Sequence, residues 1–154
     1  DITWITPSKF YVKQHYYKSN IKRIATKLHA TTVQLSLNCN TTEIDKRKST
    51  QSFAANFVHS LDAANVHLAL EKSKASGLNQ FCTIHDCFGS PAAHIEEFIS
   101  YVKESFVDMY SKNLLDDLYQ QAVKQLEDSS KLPIPPDIGD FDVCEVLLAP
   151  YVFS

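Results

Sequence analysis

The stretch Phe81-Cys-Thr-Ile-His-Asp-Cys-Phe-Gly89 is an apolar run interrupted once, by a histidine and an aspartate. Gln80 to Ile84 has the pattern of a short buried strand, His85-Asp86 stands at its end, and Phe88-Gly89 resumes the apolar course. Ser90 is placed to cap a following helix and Pro91 to open it. A carboxylate at the tip of a strand turn is held rigidly and exposed at one edge. That suits a hard divalent cation such as Mg2+, which takes oxygen donors in fixed positions. Paired ions about 4 Å apart can activate an attacking hydroxyl and stabilise a leaving oxygen. Such a pair needs at least two carboxylates, so Asp86 implies a partner elsewhere. Taken alone, the dipeptide reads more readily as a turn that Asp86 starts and His85 packs beside.

Working outward, the first forty residues read as β structure. Trp4, Phe10, Tyr11, Val12, Tyr16 and Tyr17 favour strands, and Pro7-Ser8-Lys9 breaks them as a turn would. Ile21 to Leu28 and Thr32 to Leu37 form a second pair, split at His29-Ala-Thr31. Residues 38 to 50 are polar apart from Cys39 and Ile44 and read as an exposed loop. From Thr50 the period becomes helical, with Phe53, Phe57, Leu61, Ala64 and Leu68 on one stripe and Gly77 as the stop. Beyond Pro91, Ile95, Phe98, Ile99, Val102, Phe106 and Met109 mark one helix. Leu114, Leu115, Leu118, Ala122, Val123 and Leu126 mark another. Lys131-Leu-Pro-Ile-Pro-Pro136 is a stiff extended linker, and the apolar tail from Phe141 to Ser154 is expected to dock. The order predicts an α+β fold of antiparallel β-hairpins with packed helices, hairpins over residues 1–49 and helices around the His-Asp turn over 50–154.

The chain has 154 residues, of which 44% are hydrophobic, enough for one domain with a core. It begins at Asp1 and opens directly on the strand-like Ile2-Thr-Trp-Ile-Thr6, so part of a longer protein is expected, with any targeting segment upstream. No apolar run approaches the roughly 18 residues of a membrane span. The net charge of -3 predicts no bulk attraction to nucleic acid. The bases are uneven, however: Lys9, Lys13, Lys18, Lys22, Arg23 and Lys27 fall in residues 9–29 with no acid among them. One face of that region could meet phosphates, or it could be a solvated strand face. The four cysteines, at 39, 82, 87 and 144, form no Cys-x-x-Cys pair and read as reduced thiols. A zinc cluster of Cys82, His85 and Cys87 is disfavoured, because a single strand would put the two cysteines on opposite faces.

A second constellation is Asn56-Phe-Val-His-Ser-Leu-Asp62. Asn56, His59 and Asp62 recur every three residues on a helix, off the Phe53/Phe57/Leu61 stripe. His59 could donate to a phosphate, a sugar or a base edge, or could be a surface histidine capped by Asp62.

Residues 52–63, Ser-Phe-Ala-Ala-Asn-Phe-Val-His-Ser-Leu-Asp-Ala, followed by residues 81–89, resemble the C-terminal palm of the bacteriophage-type single-subunit DNA-directed RNA polymerases. His-Ser-Leu-Asp and His-Asp-Cys-Phe are closer to the mitochondrial and mitochondrial-plasmid branch than to the phage enzymes. Trp4-Ile-Thr-Pro7, Gln14 and the aromatic end Tyr151-Val-Phe-Ser154 agree with it. The resemblance implies DNA-templated transfer of nucleotides from ribonucleoside triphosphates to an RNA 3′ end by a two-metal mechanism. It implies Mg2+ as cofactor, and DNA template, RNA product and the rest of the polymerase chain as partners, in a mitochondrial setting with no membrane role. Asp86 matches the second of two metal-binding catalytic aspartates, and His85 its supporting neighbour. His59 matches a histidine against the minor groove of the hybrid, with Ser60 and Asn56 as further nucleic-acid contacts and Asp62 ordering the motif. The aromatic tail matches a foot close to the active site.

Departures lie at Ser8-Lys9, where relatives often have a hydrophobic residue and Gly, at Asn65 in place of a frequent His, and at Gly89-Ser90-Pro91. The first catalytic aspartate and the nucleotide-holding fingers helix match nothing in these residues, so the chain alone is not expected to polymerise. Two other readings stay open. A His-Asp metal phosphohydrolase would use His59, His85-Asp86 and Asp108, with the pair on a helix. A non-catalytic remnant or binding module would use none of them chemically.

Overall fold

The computed structural model describes residues 2–29, 31–84 and 87–151. They form an α+β fold of paired strands and helices, as the sequence pattern predicts. Two compact units divide the chain: residues 1–3 with 13–57, and residues 4–12 with 58–154. Strand β1 (Ile2–Ile5) pairs with β2 (Tyr11–Gln14).

The first unit is dominated by an antiparallel ribbon of β3 (Tyr17–Leu28) and β4 (Thr31–Ile44). Its register pairs Ile24 with Leu35 and Leu28 with Thr31, and His29, in the connection, takes a positive φ of 47°. Nearly every ribbon residue is exposed, so the backbone ladder holds it rather than burial. The strands are longer than the sequence suggests. Asn38–Ile44 pairs with the start of β3, where a polar loop was expected. No loop then intervenes, because Asp45 caps helix α1 (Lys46–Ala75): its carboxylate accepts from the Lys48 N–H at 3.0 Å. The helix therefore begins at Lys46 and not near Thr50.

In the second unit, the turn after β1 is closed by Thr6, whose Oγ1 accepts from the Phe10 N–H at 3.1 Å and whose carbonyl accepts from the Lys9 N–H at 2.8 Å. Lys9 pays conformationally, at φ 63°, where Gly would sit without strain. The C-terminal part of α1 buries Leu61, Ala64, Asn65, Ala69 and Ser73. It stops at Gly77, as expected: φ is 95° there and the Leu78 N–H reaches back to the Ser73 carbonyl at 3.0 Å.

Strands β5 (Cys82–Ile84) and β6 (Cys87–Gly89) form an antiparallel hairpin. Pro91 stays extended at ψ 144°, and a short 3-10 turn over Ala92–His94 precedes α2 (Ile95–Tyr110). Ser90 makes no cap; the cap expected at Ser90-Pro91 is replaced by that turn. Helix α2 lies against α1. Phe98 and Val102 cluster with Ala69, Ser105 Oγ donates to Asn65 Oδ1 at 2.9 Å, and Lys72 Nζ meets Asp108 at 2.5 Å and Glu104 at 3.7 Å. Helix α3 (Leu114–Gln125) is capped by Asn113, which accepts from the Asp116 N–H. After the irregular 132–144 stretch, α4 (Glu145–Leu148) docks on α2, where Lys103 Nζ donates to the Ala149 carbonyl at 2.6 Å.

Phe98 is 1% exposed and meets Phe81, just before β5, and Phe88, within β6. Phe98→Ala is expected to cost about 3–5 kcal/mol by urea unfolding of the protein, whereas Ile134→Ala, at a site 86% exposed, should stay within about 0.5 kcal/mol. Lys9→Gly should raise the unfolding midpoint. Relief of about 1–2 kcal/mol of left-handed strain outweighs the ~0.5–1 kcal/mol that glycine loses in chain entropy. A fall in the midpoint would mean that Lys9 is held by contacts worth more than its strain.

Candidate functional site

The hairpin of β5 and β6 is set by parity. Cys82 pairs with Gly89, Thr83 with Phe88, and Ile84 with Cys87, so His85 and Asp86 join the strands in sequence. Both residues, and with them the catalytic, supporting and metal-ligand expectations, lie outside the described residues. What is described is their mounting. Cross-strand partners share a face, so Thr83 and Phe88 face one way, with Phe81 two residues before Thr83. That face meets α2: the Phe81 and Phe98 rings stack at 6.4 Å, and Phe88 meets Phe98 edge-on at 5.9 Å.

The other face carries Cys82, Ile84, Cys87 and Gly89, and Ile84 is 68% exposed. The cysteines therefore share a face, contrary to the single-strand expectation, because the connection between 84 and 87 reverses the chain and with it the parity. A Cβ on Gly89 would lie 2.7 Å from Cys82 Sγ, so this position favours glycine at close approach. Among the described residues no group of three His, Cys, Asp or Glu side chains could hold a metal ion. Asp108, which a phosphohydrolase would require, is instead paired with Lys72, and strands rather than a helix flank His85-Asp86.

In the same unit, His59 is exposed on α1 and makes no hydrogen bond or ion pair among the described residues. Asp62 does not cap it. Asp62 is exposed, and its charge adds to burial in pushing the Tyr110 hydroxyl pKa up, burial being the larger cause. Ser60 has a structural partner: Trp4 Nε1, on a residue 1% exposed, donates to Ser60 Oγ at 2.9 Å. Asn65, noted in sequence for replacing a histidine, is buried against Ser105 of α2. Tyr151 is 87% exposed, and Val152–Ser154 of the aromatic tail lie outside the described residues.

In the first unit, Asn56 is half-buried within a polar chain that the sequence pattern does not announce. Gln14, 6% exposed at the end of β2, donates from Nε2 to the Ser49 carbonyl at 2.6 Å. Its Oε1 accepts from Asn56 Nδ2 at 3.2 Å, and the same Nδ2 donates to Tyr16 Oη at 3.0 Å. Lys48 Nζ lies 4.9 Å from the Tyr16 ring centre. The hydrogen bond from Asn56, then that of Ser52, holds the Tyr16 hydroxyl pKa below its usual value. Alternation along β2, with Val12 and Gln14 inward and Tyr11 and Lys13 outward, is the one sequence signal that marks Gln14 as buried. The ribbon register separates two faces: Arg23/Ser36, Ala25/Gln34 and Lys27/Thr32 on one, Ile24/Leu35, Thr26/Val33 and Leu28/Thr31 on the other. Of the basic run, Arg23 and Lys27 thus share a polar face.

Comparison with known proteins agrees in direction. Residues 1–133 match the family model for DNA-dependent RNA polymerase. The chain is 33% identical over 153 residues to the chloroplastic DNA-directed RNA polymerase 3 of Nicotiana sylvestris, and 31% identical to the mitochondrial DNA-directed RNA polymerase 1 of Arabidopsis thaliana. In each case 99% of this chain aligns, and it spans 15% of the relative's length. It is also 31% identical to DNA-directed RNA polymerase 1A of Nicotiana tabacum, of which it spans 95%. The identity extends across both described units and the hairpin, and on that ground the chain belongs to the DNA-dependent RNA polymerase family.

Proposed function

We propose that this chain acts as the C-terminal palm region of an organellar, single-subunit DNA-directed RNA polymerase, which transfers nucleotides from ribonucleoside triphosphates to the 3′ end of an RNA on a DNA template. One observation supports this most directly. The strands on either side of His85-Asp86 form a short antiparallel hairpin held to Phe98 by Phe81, just before β5, and by Phe88, within β6. A metal-binding carboxylate has to keep its place while substrates of high charge come and go, and a hairpin clamped by two aromatic contacts meets that need. The names of the mitochondrial and chloroplastic relatives support the organellar setting.

Asp86 is the residue that would hold Mg2+. A carboxylate is the oxygen donor such an ion takes. A paired-ion site needs a second carboxylate, which the family resemblance assigns to another part of the polymerase. When bound, the metal supplies charge stabilisation to the phosphoryl oxygens and lowers the pKa of the attacking hydroxyl. His85 would keep the carboxylate oriented. His59, exposed and without a hydrogen bond or ion pair among the described residues, is available to donate to the sugar or base edge of the hybrid, while Ser60, holding Trp4, would set the position of that turn of helix. Arg23 and Lys27, on the polar face of the ribbon, suit phosphate contacts.

In the full-length polymerase, Asp86→Asn should lower chain extension by roughly a thousandfold or more, the scale of losing electrostatic support for transition-state charge, with template binding largely retained. A variant that still extends RNA would remove Asp86 from the metal site. His59→Ala should cost no more than about tenfold in extension or in ribose-over-deoxyribose discrimination, the worth of one hydrogen bond. Unchanged extension and discrimination would make His59 a surface histidine.

A further inference from the structure

We infer that Gln14 fixes the side-chain amide of Asn56 so that Asn56 offers nucleic acid a hydrogen-bond acceptor only, selecting a donor group on the minor-groove side of the hybrid. This deepens the polymerase assignment above and rests on it.

The orientation follows from one group whose role is not negotiable. The Ser49 backbone carbonyl can only accept, so the end of the Gln14 amide that meets it at 2.6 Å is the NH2. Gln14 is buried, and turning its amide over would set oxygen against oxygen. Its Oε1 must then face Asn56, and an oxygen there requires a donor, Asn56 Nδ2. The same nitrogen reaches Tyr16 Oη. Both donors of the Asn56 amide are thus engaged within the first unit, and Oδ1 is left. That oxygen has no hydrogen-bond partner among the described residues, and no buried side-chain polar atom lacks one there, so Oδ1 is reachable from solvent.

An asparagine free to rotate can present either a donor or an acceptor and therefore discriminates poorly. Locked in this way, Asn56 rejects acceptors by leaving two oxygens face to face and rewards donors. On a nucleic-acid hybrid the minor-groove donors are the guanine 2-amino group and the ribose 2′-hydroxyl. Asn56 touches the nucleic acid in this scheme, and Gln14 is a positioning residue.

The test uses the full-length polymerase and primer–template hybrids altered one atom group at a time. Guanine is replaced by hypoxanthine, which lacks the 2-amino group, or a single primer 2′-hydroxyl is replaced by hydrogen. One such change should weaken binding of the hybrid to the wild type about three- to tenfold. Asn56→Ala should remove the penalty at that position and leave penalties at other positions intact. Gln14→Leu, which frees the amide to rotate without altering Asn56, should shrink the same penalty, and it serves if Asn56→Ala does not fold. The responsive change identifies the source, base edge or ribose. A penalty undiminished in both variants, or a wild type indifferent to every change while still extending RNA, overturns the inference. A wild type that neither binds nor extends any hybrid overturns the polymerase assignment with it.

Discussion

Phe98 is the contact on which the candidate active region depends. Its ring is buried between Phe81, just before β5, and Phe88, within β6, with Ala69 of α1 and Val102 of α2 completing the cluster. A two-stranded hairpin of three residues per strand has too few ladder hydrogen bonds to persist alone in water. Burial against Phe98 gives it the missing stability, and the pleat does the rest. Once Phe81, Thr83 and Phe88 face α2, the opposite parity must face away, which exposes Cys82, Ile84 and Cys87.

Each unit also contains a polar staple between a strand segment and α1, made by different chemistry. In the second unit a buried indole N–H meets the Ser60 hydroxyl. In the first a glutamine, an asparagine and a tyrosine share donors and acceptors, and among the described residues no buried side-chain polar atom is left without a partner. Such chains are costly when half satisfied and specific when complete. Asn56 and Ser60, grouped in sequence as nucleic-acid contacts, thus have structural duties, and His59 is the member of that motif left unengaged among the described residues.

Much of this was legible in the amino-acid order, where burial imposes a period. The α2 stripe holds at Phe98, Val102 and Met109, and the Gly77 stop holds because a positive φ there needs glycine. Where burial is absent, the pattern falls silent. Asn38–Glu43 is strand although it has no alternation, since both faces of the ribbon meet solvent and only backbone pairing sustains it. The start of α1 was hidden for a related reason: Asp45 caps it through one side-chain oxygen, and nothing apolar marks the place. Cys82 and Cys87 were put on opposite faces by counting along one strand, whereas the chain reverses between Ile84 and Cys87. The bonds of Asn56 to Gln14 and Tyr16 span 42 and 40 residues, a separation that no local period can report.

The metal-binding role proposed for Asp86, which lies in sequence between β5 and β6, can be tested directly. Replacing Mg2+ with Fe2+ in the full-length enzyme, with peroxide and a reductant, cuts the polypeptide beside the bound metal and so maps it without relying on activity. Cleavage is predicted within residues 82–89, suppressed by excess Mg2+ and lost in Asp86→Ala. Cleavage confined to other segments, with residues 82–89 left intact, would contradict the assignment.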